Sequence, residues 1–96
     1  MELLVSSGAE RDLVAAFERY RARSLDLAVD LIRCADVTIA LIQRSPRLFR
    51  RRHGEVRMAM TPRFPYAVYF IWDEPAGLIS VRRILHFAQN APANLG

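Results

Sequence analysis

FPYAVYFIWDEPAGLISVRRILH, residues 64–86, decides the fold. Its spacing predicts two β-strands joined by a tight turn. Over residues 66–73, Tyr66, Val68, Phe70 and Trp72 point one way and Ala67, Tyr69 and Ile71 the other, so neither face is polar. Successive strand residues project to opposite faces, and a strand apolar on both is covered on both, which places this one centrally in a sheet. The second strand, residues 78–85, carries Ile79, Val81 and Leu85, but also Arg82 and Arg83 side by side. By the same alternation, one of these guanidinium groups faces the side of the sheet that nothing covers. The Asp73-Glu74-Pro75-Ala76-Gly77 run between the strands is turn chemistry.

Upstream, residues 56–61 alternate, with Val56, Met58 and Met60 on one face and Arg57, Ala59 and Thr61 on the other, as in a half-buried strand. Thr61-Pro62-Arg63-Phe64-Pro65 turns this strand into the central one, its prolines withholding backbone N–H groups. Residues 46–54 read as a connector carrying Arg50, Arg51 and Arg52. Before it lies a long helix. Ser24 caps its start, and Ser45-Pro46 stops it, because the residue before proline avoids the α region. Leu25, Ala28, Val29, Ile32, Ala35, Ile39 and Ile42 make one apolar stripe; Leu27, Leu31, Cys34, Thr38 and Leu41 make a second. A helix apolar over so much of its circumference packs on two sides.

An earlier helix runs to about Arg21, started by Ser6 and Ser7, with Ser7-Gly8-Ala9-Glu10 in capping-box form. Its stripe is Leu13, Val14, Phe17 and Tyr20, and the short link to the second helix predicts an antiparallel helical hairpin. Residues 2–5 form a short first strand, and residues 87–96 a polar tail or a single helical turn. The order is strand, helix, helix, strand, strand, strand. Helices grouped early and strands late give an α+β fold, with the hairpin on one face of a four-stranded antiparallel sheet and the other face open.

At 96 residues the chain is expected to be one domain with one core. All fourteen basic residues are arginine, and the net charge is +4. That balance fits an acidic partner, nucleic acid or protein, although arginine-favouring codons account equally well for the missing lysine. A lone Cys34 at helical core spacing forms no internal disulfide. With no signal-peptide pattern and no unbroken apolar run, the expected location is the cytoplasm, without a membrane partner.

Two histidines and one cysteine have no metal-ligand spacing, and the isolated glycines build no phosphate loop, so neither a metal nor a cofactor is expected. The arginines are what remains. Arg50 to Arg52 are either a solvated loop or a contact to phosphate or an acidic protein. Arg57, Arg82 or Arg83, and His86 lie on strands or strand ends; if they share the open face, they form a cationic patch beside Tyr69 that binds a macromolecular target. Otherwise they pair with Glu55, Asp73 or Glu74. His86 is either a general acid–base or a strand-closing hydrogen-bonding group.

The run RFPYAVYF, followed after a short turn by LISVRRILH, resembles the C-terminal half of the RelE/ParE toxins of bacterial type II toxin–antitoxin systems. The Ser6-x-x-Ala9-x-x-Asp12-Leu13 pattern, the Ser45-Pro46 helix stop and, on the ParE side, the ending 90–96 are similar too, so the resemblance spans nearly the whole chain. It implies a β-α-α-β-β-β fold. The RelE branch implies ribosome-dependent cleavage of mRNA, for which Arg57, Arg83 and His86 are the candidate catalytic residues. However, no Tyr, Lys, Arg or His follows Phe87, where that branch carries one. The ParE branch is closer and implies inhibition of DNA gyrase by binding, with no active site. Arg57, Tyr69, Arg82, Arg83 and His86 are then the candidate target-binding residues. Either branch implies a cognate antitoxin, ParD-like or similar. Its acidic-leaning segment would dock near Phe17, Tyr20 and Arg50, Arg51 and Arg52, and its own DNA-binding domain would hold operator DNA, which the toxin meets only indirectly. A third reading is a non-toxic scaffold that completes the antitoxin repressor complex.

Overall fold

The computed structural model describes residues 1–89. β1 (Glu2–Val5) leads into α1 (Ser7–Arg21) and α2 (Leu25–Arg44); a short 3-10 helix (Pro46–Leu48) precedes β2 (Arg51–His53), β3 (Val56–Met60), β4 (Tyr66–Asp73) and β5 (Leu78–His86). The strands form one five-stranded sheet in the order β1-β5-β4-β3-β2. Neighbours run antiparallel except β1, which lies parallel to β5. The fold is α+β, as expected. The sheet gains a fifth strand because the arginine run read as connector pairs with β3, Arg51 opposite Arg57 and His53 opposite Val56. The parallel β1–β5 pair follows from the helical hairpin, which carries the chain across one face before it returns.

The helix caps show how local chemistry sets the elements. Ser6, not Ser7, is the N-cap of α1: its Oγ accepts from the Ala9 N–H at 3.0 Å. The capping box placed on Ser7 therefore does not form, because Ala9, not Glu10, occupies the third helical position. The reason is tertiary. The Ser6 N–H donates to Val81 O at 2.9 Å and its hydroxyl to Arg82 O at 2.7 Å, so Ser6 joins helix start and sheet. Ser24 caps α2 through the Leu27 N–H, and Ser45 ends it before Pro46, as predicted.

β4 is central, and Tyr66, Val68 and Phe70 join Ile79, Val81, Ile84, Leu31 and Ile42 in the core beneath the helices. Phe70 has 0% exposure. Of the two stripes on α2, the fully buried line is Ala28, Leu31, Ala35, Thr38 and Ile42, while Leu25 lies exposed at the first turn. Cys34 is a half-buried free thiol packed against this core. The far face of the sheet carries a second apolar cluster: Val56, Ala67, Tyr69 and Leu85, with Met58 and Ile71 against them. Gly54 and Gly77 take positive φ at two strand-connecting turns, where a side chain would be strained. The tail expected over 87–96 is a turn through Gln89; residues 90–96 lie outside the described residues.

Candidate functional site

The expected cationic patch on the open face is not assembled. A β-bulge in β5 is the physical reason. Tyr69 pairs with Arg83, but the next residue of β4, Phe70, pairs with Val81, so β5 inserts one residue here. The simple alternation used for Arg82 and Arg83 fails at such an insertion. Arg83 is drawn to α1, where its Nε and Nη2 donate to the Asp12 carboxylate at 2.6 and 2.8 Å. Asp12 Oδ2 also accepts the Ile84 N–H at 2.9 Å. β1 ends at Val5, opposite Val81, so this part of β5 has no strand on that side; Ser6 and Asp12 satisfy its edge instead. The hydrogen bonds to Asp12 hold the Arg83 guanidinium charged even more firmly than usual.

Arg57 lies on the helix-side face, opposite Phe70. Its Nη1 donates to Phe49 O at 2.7 Å, and its guanidinium sits 5.4 Å from the Trp72 ring centre. Arg47 lies 5.3 Å from the same ring and pairs with Glu74 at 3.1 Å. His86, opposite Tyr66, meets the Tyr66 ring edge-on at 5.3 Å, and its Nδ1 accepts the Ala88 N–H at 2.9 Å. That is the strand-closing role. Tyr69 lies on the far face, 7% exposed, with its ring 6.5 Å from that of His53. Burial pushes its hydroxyl above the usual tyrosine value, and the Arg52 charge opposes the shift. Arg82 is half-buried, and its side chain forms no hydrogen bond or ion pair among the described residues. Of the five candidate target-binding residues, then, Arg57 and His86 sit on the helix side, Arg83 is bound to α1, Tyr69 belongs to the far face, and Arg82 is the half-buried residue inserted at the bulge.

The residues expected to meet a partner also separate. Phe17 lines an open groove of about 500 Å³ on the helical hairpin, with Leu13, Val14 and Ile32 as its apolar wall and Glu10 and Glu18 at its polar rim. Val14 is 61% exposed within it. Tyr20 does not line the groove; it packs edge-on against Phe64 at 5.2 Å and Tyr66 at 6.3 Å. Arg50, Arg51 and Arg52 are exposed on or beside β2, the sheet edge remote from β1. Helical spacing put Leu13, Val14, Phe17 and Tyr20 on one apolar stripe; that the first three share a groove with Glu10 and Glu18 shows only in the fold.

Among the described residues no group of three His, Cys, Asp or Glu is placed to hold a metal ion, and no helix is long and apolar enough to cross a membrane.

No protein-family model matches the chain, and no curated protein matches it. Among solved structures, a chain of one described as "Chromosomal ParDE TA system from P. aeruginosa" superposes with a TM-score of 0.78 over 90% of this chain and 95% of that one, at 19% sequence identity. The backbones agree closely while the sequences share few residues. The chain therefore has a ParE-like fold, as the resemblance in residues 63–86 implied.

Proposed function

We propose that this protein is the toxin of a ParDE-type toxin–antitoxin pair, held inactive by a ParD-like antitoxin and acting on DNA gyrase in the cytoplasm by binding rather than by catalysis. The observation that carries the reading is the match of nearly the whole chain to a chain of a ParDE structure. The side chains favour binding over RNA cleavage. Arg83 is engaged by Asp12, Arg57 by a backbone carbonyl, and the His86 Nδ1 by a backbone amide. A group already committed to structural hydrogen bonds is poorly placed to shuttle protons or steady a developing phosphoryl charge.

The antitoxin surface we assign is the α1–α2 groove. An amphipathic helix can lay apolar side chains against Leu13, Val14 and Phe17. Glu10 and Glu18 on the rim favour a docking segment with neutral or basic flanks, in contrast to the acidic segment expected from net charge alone. Arg50, Arg51 and Arg52 do not line this groove, and the assignment is confined to it.

Two measurements test the proposal. Inducing the chain alone should arrest growth, and the purified protein should inhibit supercoiling by gyrase; absence of inhibition at large molar excess removes gyrase as the target. Val14→Glu, at an exposed position, should leave toxicity and folding intact and prevent rescue by the co-expressed antitoxin. Full rescue would place the antitoxin elsewhere.

A further inference from the structure

The net charge of the molecule is not spread over its surface. Residues 44–55 hold Arg44, Arg47, Arg50, Arg51 and Arg52 against the single carboxylate of Glu55, a balance of +4. That equals the formal charge of the whole protein; outside the segment nine arginines meet nine carboxylates. The five arginines and His53 are all exposed. Arg51 is paired with Glu55 at 3.5 Å and Arg47 with Glu74 at 3.1 Å, both in contacts open to solvent. Arg44, Arg50 and Arg52 form no side-chain hydrogen bond or ion pair among the described residues. The segment is rigidly based: Ser45 closes α2, Pro46 is buried, Phe49 packs edge-on to Phe70 at 5.9 Å, and β2 is hydrogen-bonded to β3.

We propose that this ridge, from the end of α2 through β2, binds the phosphate backbone of duplex DNA without reading its sequence. Exposed guanidinium groups carried on a hydrogen-bonded base can meet phosphates, each contact releasing a condensed counterion. The duplex is favoured over a single strand because the ridge offers little to stack on. Of its two aromatic rings, Phe49 is turned into the core and only His53 is exposed, its ring 6.5 Å from that of Tyr69, whereas single-strand binding relies on several exposed rings. An acidic protein is the less favoured occupant. The ridge has only Leu48 as an exposed large apolar anchor, and protein interfaces draw their affinity from a buried apolar centre.

The inference stands apart from the gyrase reading, since it concerns the purified chain and DNA alone. Fluorescence anisotropy with a labelled duplex of about two helical turns tests it. With about four phosphates contacted, affinity should fall about a hundredfold between 50 and 200 mM salt. The triple variant Arg44→Gln, Arg50→Gln, Arg52→Gln should lower the log–log salt slope by about 2 to 3 and retain the circular dichroism of the parent. Arg21→Gln with Arg23→Gln, exposed positions at the end of α1 and in the link to α2, should leave binding within about twofold, because the 20-residue α2, about 30 Å long, sets them more than a Debye length from its far end. Three outcomes overturn the proposal: no salt-dependent binding, an unchanged slope in the triple variant, or a polyglutamate peptide of matched charge binding as tightly as the duplex.

Discussion

Replacing Asp12 by alanine should destabilise the protein by about 2–5 kcal/mol, and the structure shows where the loss arises. The carboxylate serves three donors: Arg83 Nε, Arg83 Nη2 and the Ile84 N–H. Ile84 is 2% exposed, so its amide loses its acceptor where water hardly reaches, at about 1–3 kcal/mol. The bidentate contact with Arg83 is stronger than a neutral pair. However, its side chains are 26% and 13% exposed, and solvent screening holds its share to about 1–2 kcal/mol. Urea denaturation followed by far-UV circular dichroism measures the sum. With a slope of about 1.5 kcal/mol per molar, the midpoint should fall by about 2 M. Asp12→Asn separates the two contributions. Its Oδ1 still accepts the Ile84 N–H while the charge is gone, so only the smaller share, about 1–2 kcal/mol, should disappear. A midpoint unchanged in Asp12→Ala would refute the edge-capping argument. An asparagine variant as unstable as the alanine one would refute the weight given to the amide.

Further tests address other parts of the fold. Ser6→Ala removes the α1 cap and the bond to Arg82 O together, and should cost about 1–2 kcal/mol by the same denaturation. Phe70→Ala, at the centre of β4, should cost about 3–5 kcal/mol, enough to leave much of the protein unfolded at growth temperature. Burial raises the Tyr66 and Tyr69 hydroxyls above the ordinary 10.0, Arg19 opposing it at Tyr66 and Arg52 at Tyr69. Above pH 10 the unfolded chain therefore sheds protons that the folded one retains, and stability should fall as pH rises through that range. Absorbance at 295 nm should show these two phenols ionising later than free tyrosine; ionisation of every tyrosine at the free value would contradict the burial.

Most of the architecture was legible because it is written in local signals. Ser24 and Ser45-Pro46 bracket α2, and the unbroken apolar run from Tyr66 to Trp72 marks a central strand, its two sets of side chains sorted as the two clusters have them. β2 escaped notice because Arg51, Arg52 and His53 have no strand composition; pairing with β3 makes the strand, not propensity. The candidate site was less legible. Phe17 and Tyr20 were read as one stripe from their helical spacing, but Phe17 lines the groove while Tyr20, three residues on, packs against Phe64 and Tyr66. The far face was expected to carry arginines and instead buries Val56, Ala67, Tyr69 and Leu85.

What the chain's own order of residues settled is therefore the succession of elements, their caps and their apolar faces, since each depends on neighbours within a few positions. It also set how charge is distributed along the chain, including the surplus between Arg44 and Glu55. What folding in three dimensions decided is where Arg57, Arg82 and Arg83 point. An inserted residue opposite Tyr69 breaks the two-residue period of β5, and a carboxylate on a helix 71 positions away supplies the counter-charge that period cannot foresee.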